Sequence, residues 1–239
     1  MSATILIIDD DADFQEMIRL FLVNEGFRVA EALNGKQGLS MLQRQIPDLI
    51  LLDLQMPDVD GATLCKRIRQ TFNRPILFLS GNKQQEHILN SLASGGDDYI
   101  TKPFDPLELV ARIKSNLRWS AQIAATKISG QRLSYPGLEI DLERMTVAVN
   151  QRPVTLLAKE LHLLITFAQN PHKVFHPKQL YERVWNDPAS YSIDTVKVHI
   201  SQLRRKIESN PAHPSYIRTV IGFGYKFDPN PDAVHSRAT

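Results

Sequence analysis

The stretch Ile5-Leu6-Ile7-Ile8-Asp9-Asp10-Asp11 runs four aliphatic side chains straight into three carboxylates. An unbroken aliphatic run fits a strand buried on both faces, as in a parallel sheet covered by helices. Four further β-rich runs follow: FRVAEA (27–32), LILLDL (49–54), PILFLS (75–80) and DYIT (98–101). Between them apolar residues recur at helical spacing, as at Phe14, Ile18, Phe21 and Leu22, at Leu64 and Ile68, and at Leu109, Ile113 and Leu117. Five β-then-α units predict an α/β domain with a five-stranded, doubly wound parallel sheet. Asp11 or Asp13 serves as the cap of the first helix, and Gly26 follows its end.

In such a sheet ligands bind beyond the carboxyl ends of the strands. Asp9 and Asp10 close the first strand, Asp53 the third and Ser80 the fourth, while Lys102 follows the fifth. Carboxylates crowded on one rim stay ionised when they share a cation, and oxygen-only ligation suits Mg2+. A strand-ending Asp is often only a helix cap, which is the preferred reading for Asp11 and Asp13. For Asp9, Asp10 and Asp53 together, a metal site is favoured. Asp53 could then act as nucleophile toward a phosphoryl donor, with Lys102 offsetting charge and Ser80 donating a hydrogen bond. An enzyme turning over small phosphate esters is the rival, but no second acid/base residue accompanies Asp53, so no enzyme is expected.

The charge is divided. Residues 1–120 hold 13 Lys+Arg against 16 Asp+Glu, and residues 121–239 hold 15 against 10. A basic second half points to a polyanionic partner. The single cysteine, Cys65, excludes an internal disulfide and a cysteine-based zinc cluster and reads as core. The N-terminal apolar run is too short for a signal peptide and no segment approaches the ~20 apolar residues of a membrane span, so a cytoplasmic protein with no membrane partner is expected.

Past Arg118, the segment 119–132 reads as a helix extension fading into a linker. LEIDL (138–142), TVAVN (146–150) and RPVTL (152–156) then alternate like short antiparallel strands, turned at Glu143-Arg144 and Asn150-Gln151. Helices are predicted over 158–168, 177–184 and 193–208, followed by a glycine-turned hairpin, IRTVIGFGYKF (217–227). The last helix carries an apolar stripe of Val196, Ile200, Leu203 and Ile207, with Asp194, Lys197, Ser201, Arg204 and Arg205 opposite. After a helix-turn element, that is the pattern of a recognition helix in a DNA major groove. Lys197, Arg204 and Arg205 would contact phosphates or guanines, and Ser201 and Gln202 base edges. His199 is either a phosphate contact or structural, and Thr219 is a wing candidate. Phe167, Tyr181 and Trp185 read as core.

Residues 1–120 resemble a response-regulator receiver domain, through IIDDD (7–11), LLDLQMPDVDG (51–61), FLSG (78–81), GGDDYITKPF (95–104) and PLELVARI (106–113). The resemblance implies phosphorylation of Asp53 by a sensor histidine kinase and Mg2+ held by Asp10, Asp53 and the Gln55 carbonyl, with Asp9 acting largely through water. It further implies a Ser80/Tyr99 switch pair and a cis Lys102–Pro103 bond. Residues 133–229, between a linker at 121–132 and a tail at 230–239, are similar to the winged-helix DNA-binding domains of the OmpR/PhoB class. The carriers are RPVTLLAKELHLL (152–164), QLYERVW (179–185), DTVKVHISQLRRKIE (194–208) and YIRTVIGFGYKF (216–227). That implies double-stranded DNA as partner and a loop, 186–191, facing RNA polymerase. Many relatives carry Arg in the wing where this chain has Ile221. The family also implies a phosphorylation-driven homodimer, for which Leu89, Leu92, Asp97, Asp98, Glu108, Val110, Arg112 and Lys114 are the candidates. The expected function is a phosphorylation-switched, sequence-specific transcription regulator. The alternative is a phosphorylation-independent DNA binder whose receiver is a fixed dimerisation module.

Overall fold

The computed structural model describes residues 2–81, 84–125, 132–185 and 192–230, apart from the side chains of 85–87 and 118–125. The chain divides into two compact units, Met1–Trp119 and Ser120–Thr239. In the first, β1 (Thr4–Ile8), α1 (Ala12–Asn24), β2 (Arg28–Ala32), α2 (Gly35–Arg44), β3 (Leu49–Asp53), α3 (Gly61–Ile68), β4 (Ile76–Ser80), α4 (Gln85–Ala93), β5 (Asp98–Thr101) and α5 (Pro106–Ala125) alternate. The strands form one parallel sheet in the order β2-β1-β3-β4-β5. Successive side chains of a strand point to opposite faces. Leu6, Ile8, Ile50, Leu52 and Phe78 therefore join one buried cluster, and Ile5, Ile7, Leu49, Leu51, Leu77 and Leu79 another. The inner strands β1, β3 and β4 are buried on both faces, which is why they read as near-continuous aliphatic runs rather than alternating ones.

Register aligns the strand ends. Ile8 lies opposite Leu52, Asp53 opposite Leu79, and Ser80 opposite Thr101, so the residues closing β1, β3, β4 and β5 reach one rim. Asp11 caps α1, its carboxylate accepting from the Phe14 N–H at 2.9 Å; Asn34 and Asp60 cap α2 and α3 in the same way. The buried strip of α1 is Gln15, Ile18 and Leu22. Phe21, expected on that strip, is exposed, because a helix lying on a sheet encloses one line of residues and Phe21 is a full 100° from Leu22.

The opposite rim is tied by Arg69. Its guanidinium donates to the carbonyls of Gly95, Phe72 and Arg74 and, at 2.6 Å, to Asp97. The same Asp97 oxygen accepts from the Ile76 N–H at the start of β4. A single buried ion pair thus joins the end of α3, the start of β4 and the turn before β5.

The second unit opens with a four-stranded antiparallel sheet, β6 (Arg132–Tyr135), β7 (Leu138–Asp141), β8 (Thr146–Val149) and β9 (Arg152–Val154). Then follow α6 (Ala158–Ala168), β10 (Val174–Phe175), α7 (Pro177–Trp185), α8 (Ile193–Ile207), β11 (Ile217–Val220) and β12 (Gly224–Phe227), with β10-β12-β11 a second sheet. Strand β6 was not expected: its RLSY runs from the last linker residue into the very start of the expected DNA-binding domain, and its exposed positions, Arg132 and Ser134, are polar. The Asn150-Gln151 turn is present with both residues at positive φ, 48° and 64°, the backbone a two-residue hairpin of right-handed twist demands. Residues 126–131 of the expected linker, 231–239 of the tail and the 186–191 loop lie outside the described residues.

The core of this unit is the predicted stripe of α8, Val196, Ile200, Leu203 and Ile207, packed with Phe167, Tyr181 and Trp185. His162, on α6, sits beside it. Burial, reinforced by the Lys159 charge, pushes its imidazole down from the ordinary 6.5 to about 3. The folded state therefore holds His162 neutral where the unfolded chain would take up a proton. Its contribution is fully present above pH 6.5 and is lost as pH falls below it, at no more than ~1.4 kcal/mol per pH unit. Urea unfolding followed by Trp185 fluorescence in a Trp119→Phe background should show stability falling between pH 6.5 and 5, with the slope reduced in His162→Gln.

Candidate functional site

The rim gathers the predicted acids. Asp9, Asp10 and Asp53 each present a carboxylate oxygen within 4.8 Å of the others. Asp9 is fully enclosed and Asp53 is 6% exposed, whereas Asp10 faces solvent. Lys102 reaches over from the end of β5, its Nζ 2.6 Å from Asp9 Oδ2 and 3.3 Å from Asp53 Oδ2. Asp9 also accepts from the Asp11 N–H at 3.0 Å, and Asp53 from the Gln55 N–H at 3.3 Å. Ser80 is buried at the end of β4, and Tyr99 is half-buried on β5 against the cluster beneath α3. The Lys102–Pro103 bond is cis.

Burial raises the Asp53 carboxyl above its ordinary value; Lys102 opposes the rise and the neighbouring Asp9 adds to it. One lysine between two enclosed carboxylates, with a third at the mouth, leaves a surplus of negative charge in a poorly solvated place. The donor set is all oxygen and one side is open to water. It fits a hard divalent cation of the magnesium type, with Asp9, Asp10 and Asp53 as the groups able to hold it.

Three supports of this rim were not read from the sequence. Gln15 donates from Nε2 to the carbonyls of Asp9 and Ala32 at 2.7 and 2.8 Å, fixing the chain as it leaves β1; a glutamine on the inner strip of α1 was the available signal. The Lys102 ammonium lies 4.1 Å from the centre of the Phe14 ring, which meets Phe104 edge-on. A Cβ at Gly61 would stand 2.2 Å from the Asp53 carbonyl oxygen, so only glycine lets α3 begin this close to the end of β3.

On α8, Lys197, Ser201 and Arg205 are exposed in one line, with Gln202 half-buried beside them. Lys197 also pairs with Asp194 at 3.3 Å. Two members of the expected DNA-contacting set are used otherwise. His199 is 2% exposed, faces the Trp185 ring edge-on and lies 2.8 Å from the Thr195 carbonyl through Nδ1, so it belongs to the core. Arg204 is half-buried and donates to the Ile217 carbonyl, at 2.9 and 2.7 Å, and to Thr219 Oγ1 at 2.9 Å. It binds the hairpin to the helix, and Thr219 stands exposed above that contact.

Five of the eight expected dimer residues are enclosed within their own domain. Leu92, Asp97, Asp98, Val110 and Arg112 are all buried. Asp97 is engaged by Arg69, and Asp98 by Arg112 at 3.0 Å, with Glu108 on the same guanidinium. A side chain already enclosed by its own domain presents no surface to a second copy. Leu89 is half-buried, Glu108 partly exposed, and Lys114 exposed and paired with Glu25.

Residues 5–114 match the family described as response regulator receiver domain, and residues 151–227 the family described as transcriptional regulatory protein, C terminal. The transcriptional regulatory protein YvrH of Bacillus subtilis (strain 168) is 38% identical over 98% of this chain and 99% of its own. The DNA-binding response regulator MtrA of Mycobacterium tuberculosis (strain ATCC 25618 / H37Rv) is 37% identical over 96% and 98%. Among solved structures, a RitR mutant superposes with a TM-score of 0.76 at 29% identity, covering 96% of this chain and 100% of the other. DrrB, a Thermotoga maritima OmpR/PhoB homolog, gives 0.51 at 30%, covering 95% and 100%.

The charge balance at the rim has a measurable consequence. In Lys102→Met the group opposing the rise is gone, so the Asp53 carboxyl should titrate at higher pH than in the parent, read from its carboxyl carbon by NMR without added metal. An unchanged or lower titration would show that Lys102 does not hold Asp53 ionised.

Proposed function

We propose, for a chain that belongs to the DNA-binding response regulators of two-component systems with a receiver and an OmpR/PhoB-type domain, that Asp53 accepts a phosphoryl group from a sensor histidine kinase and thereby switches DNA binding. The observation that supports it is the Asp9–Lys102–Asp53 arrangement with Asp10 at its mouth. Family membership makes the chain a transcriptional regulator, and among the described residues no helix is long and apolar enough to cross a membrane. A cytoplasmic location agrees with that role.

An Asp53 oxygen attacks the phosphorus of a phosphohistidine; the new P–O bond forms as the P–N bond breaks, and its electron pair returns to the imidazole, which takes up a proton. Lys102 already sits against Asp53 and offers its ammonium to the incoming phosphoryl oxygens, while the Ser80 hydroxyl donates to another. A magnesium ion held by Asp9, Asp10, Asp53 and the Gln55 carbonyl would supply charge neutralisation. The product adds roughly two negative charges at neutral pH, enough to reposition Ser80 and Tyr99 at the β4 and β5 ends. The phosphorylated receiver then pairs with a second copy, which raises the local concentration of two DNA-binding domains on adjacent half-sites. RNA polymerase is the expected third partner, through the loop at 186–191.

Lys197, Ser201, Gln202 and Arg205 are the proposed groove-facing set of α8, with Thr219 beside them. Incubation with acetyl phosphate and Mg2+ should add one phosphoryl group to the wild type and none to Asp53→Asn, by intact mass. Dimer fraction and DNA affinity should rise in the first and stay fixed in the second; equal behaviour of both would leave the phosphorylation-independent reading. Lys197→Ala and Arg205→Ala should each lower the slope of log affinity against log salt by about 1, measured by fluorescence anisotropy.

A further inference from the structure

The cleft between α2 and α3 is a second place where charge and apolar surface meet, and it shares no lining residue with the acidic rim. Gly35, the first residue of α2, is pressed onto the loop that follows β3. Its N–H donates to Asp58 Oδ2 at 3.0 Å, and a Cβ there would stand 2.5 Å from Val59 Cγ1. Beside that pinch the two helices leave a cleft of about 490 Å3, a size within the range of small-molecule sites. Leu39 on α2, Val59 in the loop and Leu64 on α3 give it an apolar wall, the first two half-buried and so still open to an occupant.

Two cations flank this wall. Lys36 comes from the first turn of α2 and Arg67 from the last turn of α3; both are exposed, and neither side chain forms an ion pair or hydrogen bond among the described residues. Asp58, the carboxylate among the lining residues, is already engaged by the Gly35 N–H. A cation in the first turn of a helix opposes the helix dipole, and no acid in that turn of α2 offsets it. An anion seated between Lys36 and Arg67 relieves that repulsion and pairs both charges at once. Ser40 and Gln43 continue the Lys36 face along α2, and their hydroxyl and amide likewise make no hydrogen bond to the described residues.

The chemistry of the occupant follows from these groups. Two cations match a phosphate monoester, which carries roughly two negative charges at neutral pH, better than they match a single carboxylate. An apolar wall suits the face of a flat ring, and a hydroxyl with an amide beside it suits sugar hydroxyls and base edges. We propose that the α2–α3 cleft binds a nucleoside monophosphate, its phosphate between Lys36 and Arg67 and its base against Leu39, Val59 and Leu64. Bound there, the nucleotide touches Asp58 and Val59 and restrains the loop that leaves Asp53. This site stands whether or not Asp53 is phosphorylated.

The test titrates the isotope-labelled full chain with adenosine monophosphate, without added Mg2+, and follows it by NMR. The methyl signals of Leu39, Val59 and Leu64 should shift and saturate, while the amide signals of Lys197, Ser201 and Arg205 on α8 stay in place. Adenosine, which lacks the phosphate, should bind about tenfold more weakly. Lys36→Met and Arg67→Met keep an unbranched stem on the surface and should leave the melting temperature unchanged. Each should weaken binding roughly threefold and the pair about tenfold, the size expected of exposed charge pairs at separate positions. The difference between the variants and wild type should shrink at high salt. Adenosine monophosphate that leaves the three methyl signals unmoved, or that moves the α8 amides in their place, overturns the proposal. Equal binding by inorganic phosphate overturns it in favour of a site for a bare anion, and tighter binding by indoleacetate in favour of an aromatic carboxylate. Unchanged affinity in the double variant overturns it as well.

Discussion

The first unit is organised by one electrostatic constraint, the enclosure of Asp9 and Asp53 at the end of a sheet whose strands are too apolar to solvate them. Isolated carboxylates in such a place would take up protons, as the raised Asp53 carboxyl already indicates. Lys102 is the protein's own answer, and it is brought there by the register of β5 against β4 and braced by the Phe14 ring. Crossovers, caps and glycines nearby serve the same end. Gly61 lets α3 begin against the end of β3, and Gln15 closes the polar groups that the turn after β1 would leave exposed to the core. The compensation is incomplete: among the described residues Lys102 pairs with Asp9 and Asp53 while Asp10 adds a third carboxylate, which leaves the rim receptive to positive charge from outside.

The second unit solves a different problem, the presentation of a polar helix face without loosening the helix. Its inner stripe is anchored by Tyr181, Trp185 and Phe227, and its C-terminal end is closed by Glu208, whose carboxylate accepts from the N–H groups of Ser215, Tyr216 and Ile217. Arg204 adds a sideways tie to the hairpin. A residue that sequence pattern assigns to the partner thus becomes part of the scaffold beneath the exposed line of Lys197, Ser201 and Arg205, and His199 lies inward for the related reason that its ring completes the packing around Trp185.

What the sequence made legible follows from which signals are local. The parallel sheet was readable because its inner strands β1, β3 and β4 are covered on both faces and are therefore almost wholly apolar. The rim acids were readable because fold logic brings strand ends together whatever their separation along the chain. The α8 stripe was readable from period alone. Illegible were the matters decided by side chains at long range. Nothing local shows that Asp97 turns toward Arg69, 28 residues away, or that Asp98 and Arg112 close on each other, 14 apart, instead of facing a second molecule. Strand β6 escaped because four residues with two polar positions carry little period, and Phe21 misled because helical spacing defines a sector, not the width of the surface that covers it.

The Arg69 tie gives the first unit a mechanical asymmetry. One end of the β4–β5 pair is clamped by a buried guanidinium that joins three chain segments, while the other end carries Ser80 and Lys102. A displacement begun at the reactive end cannot be absorbed by the whole sheet sliding. With that end pinned as a fulcrum, the freedom to move is left to the segments around Ser80 and Lys102.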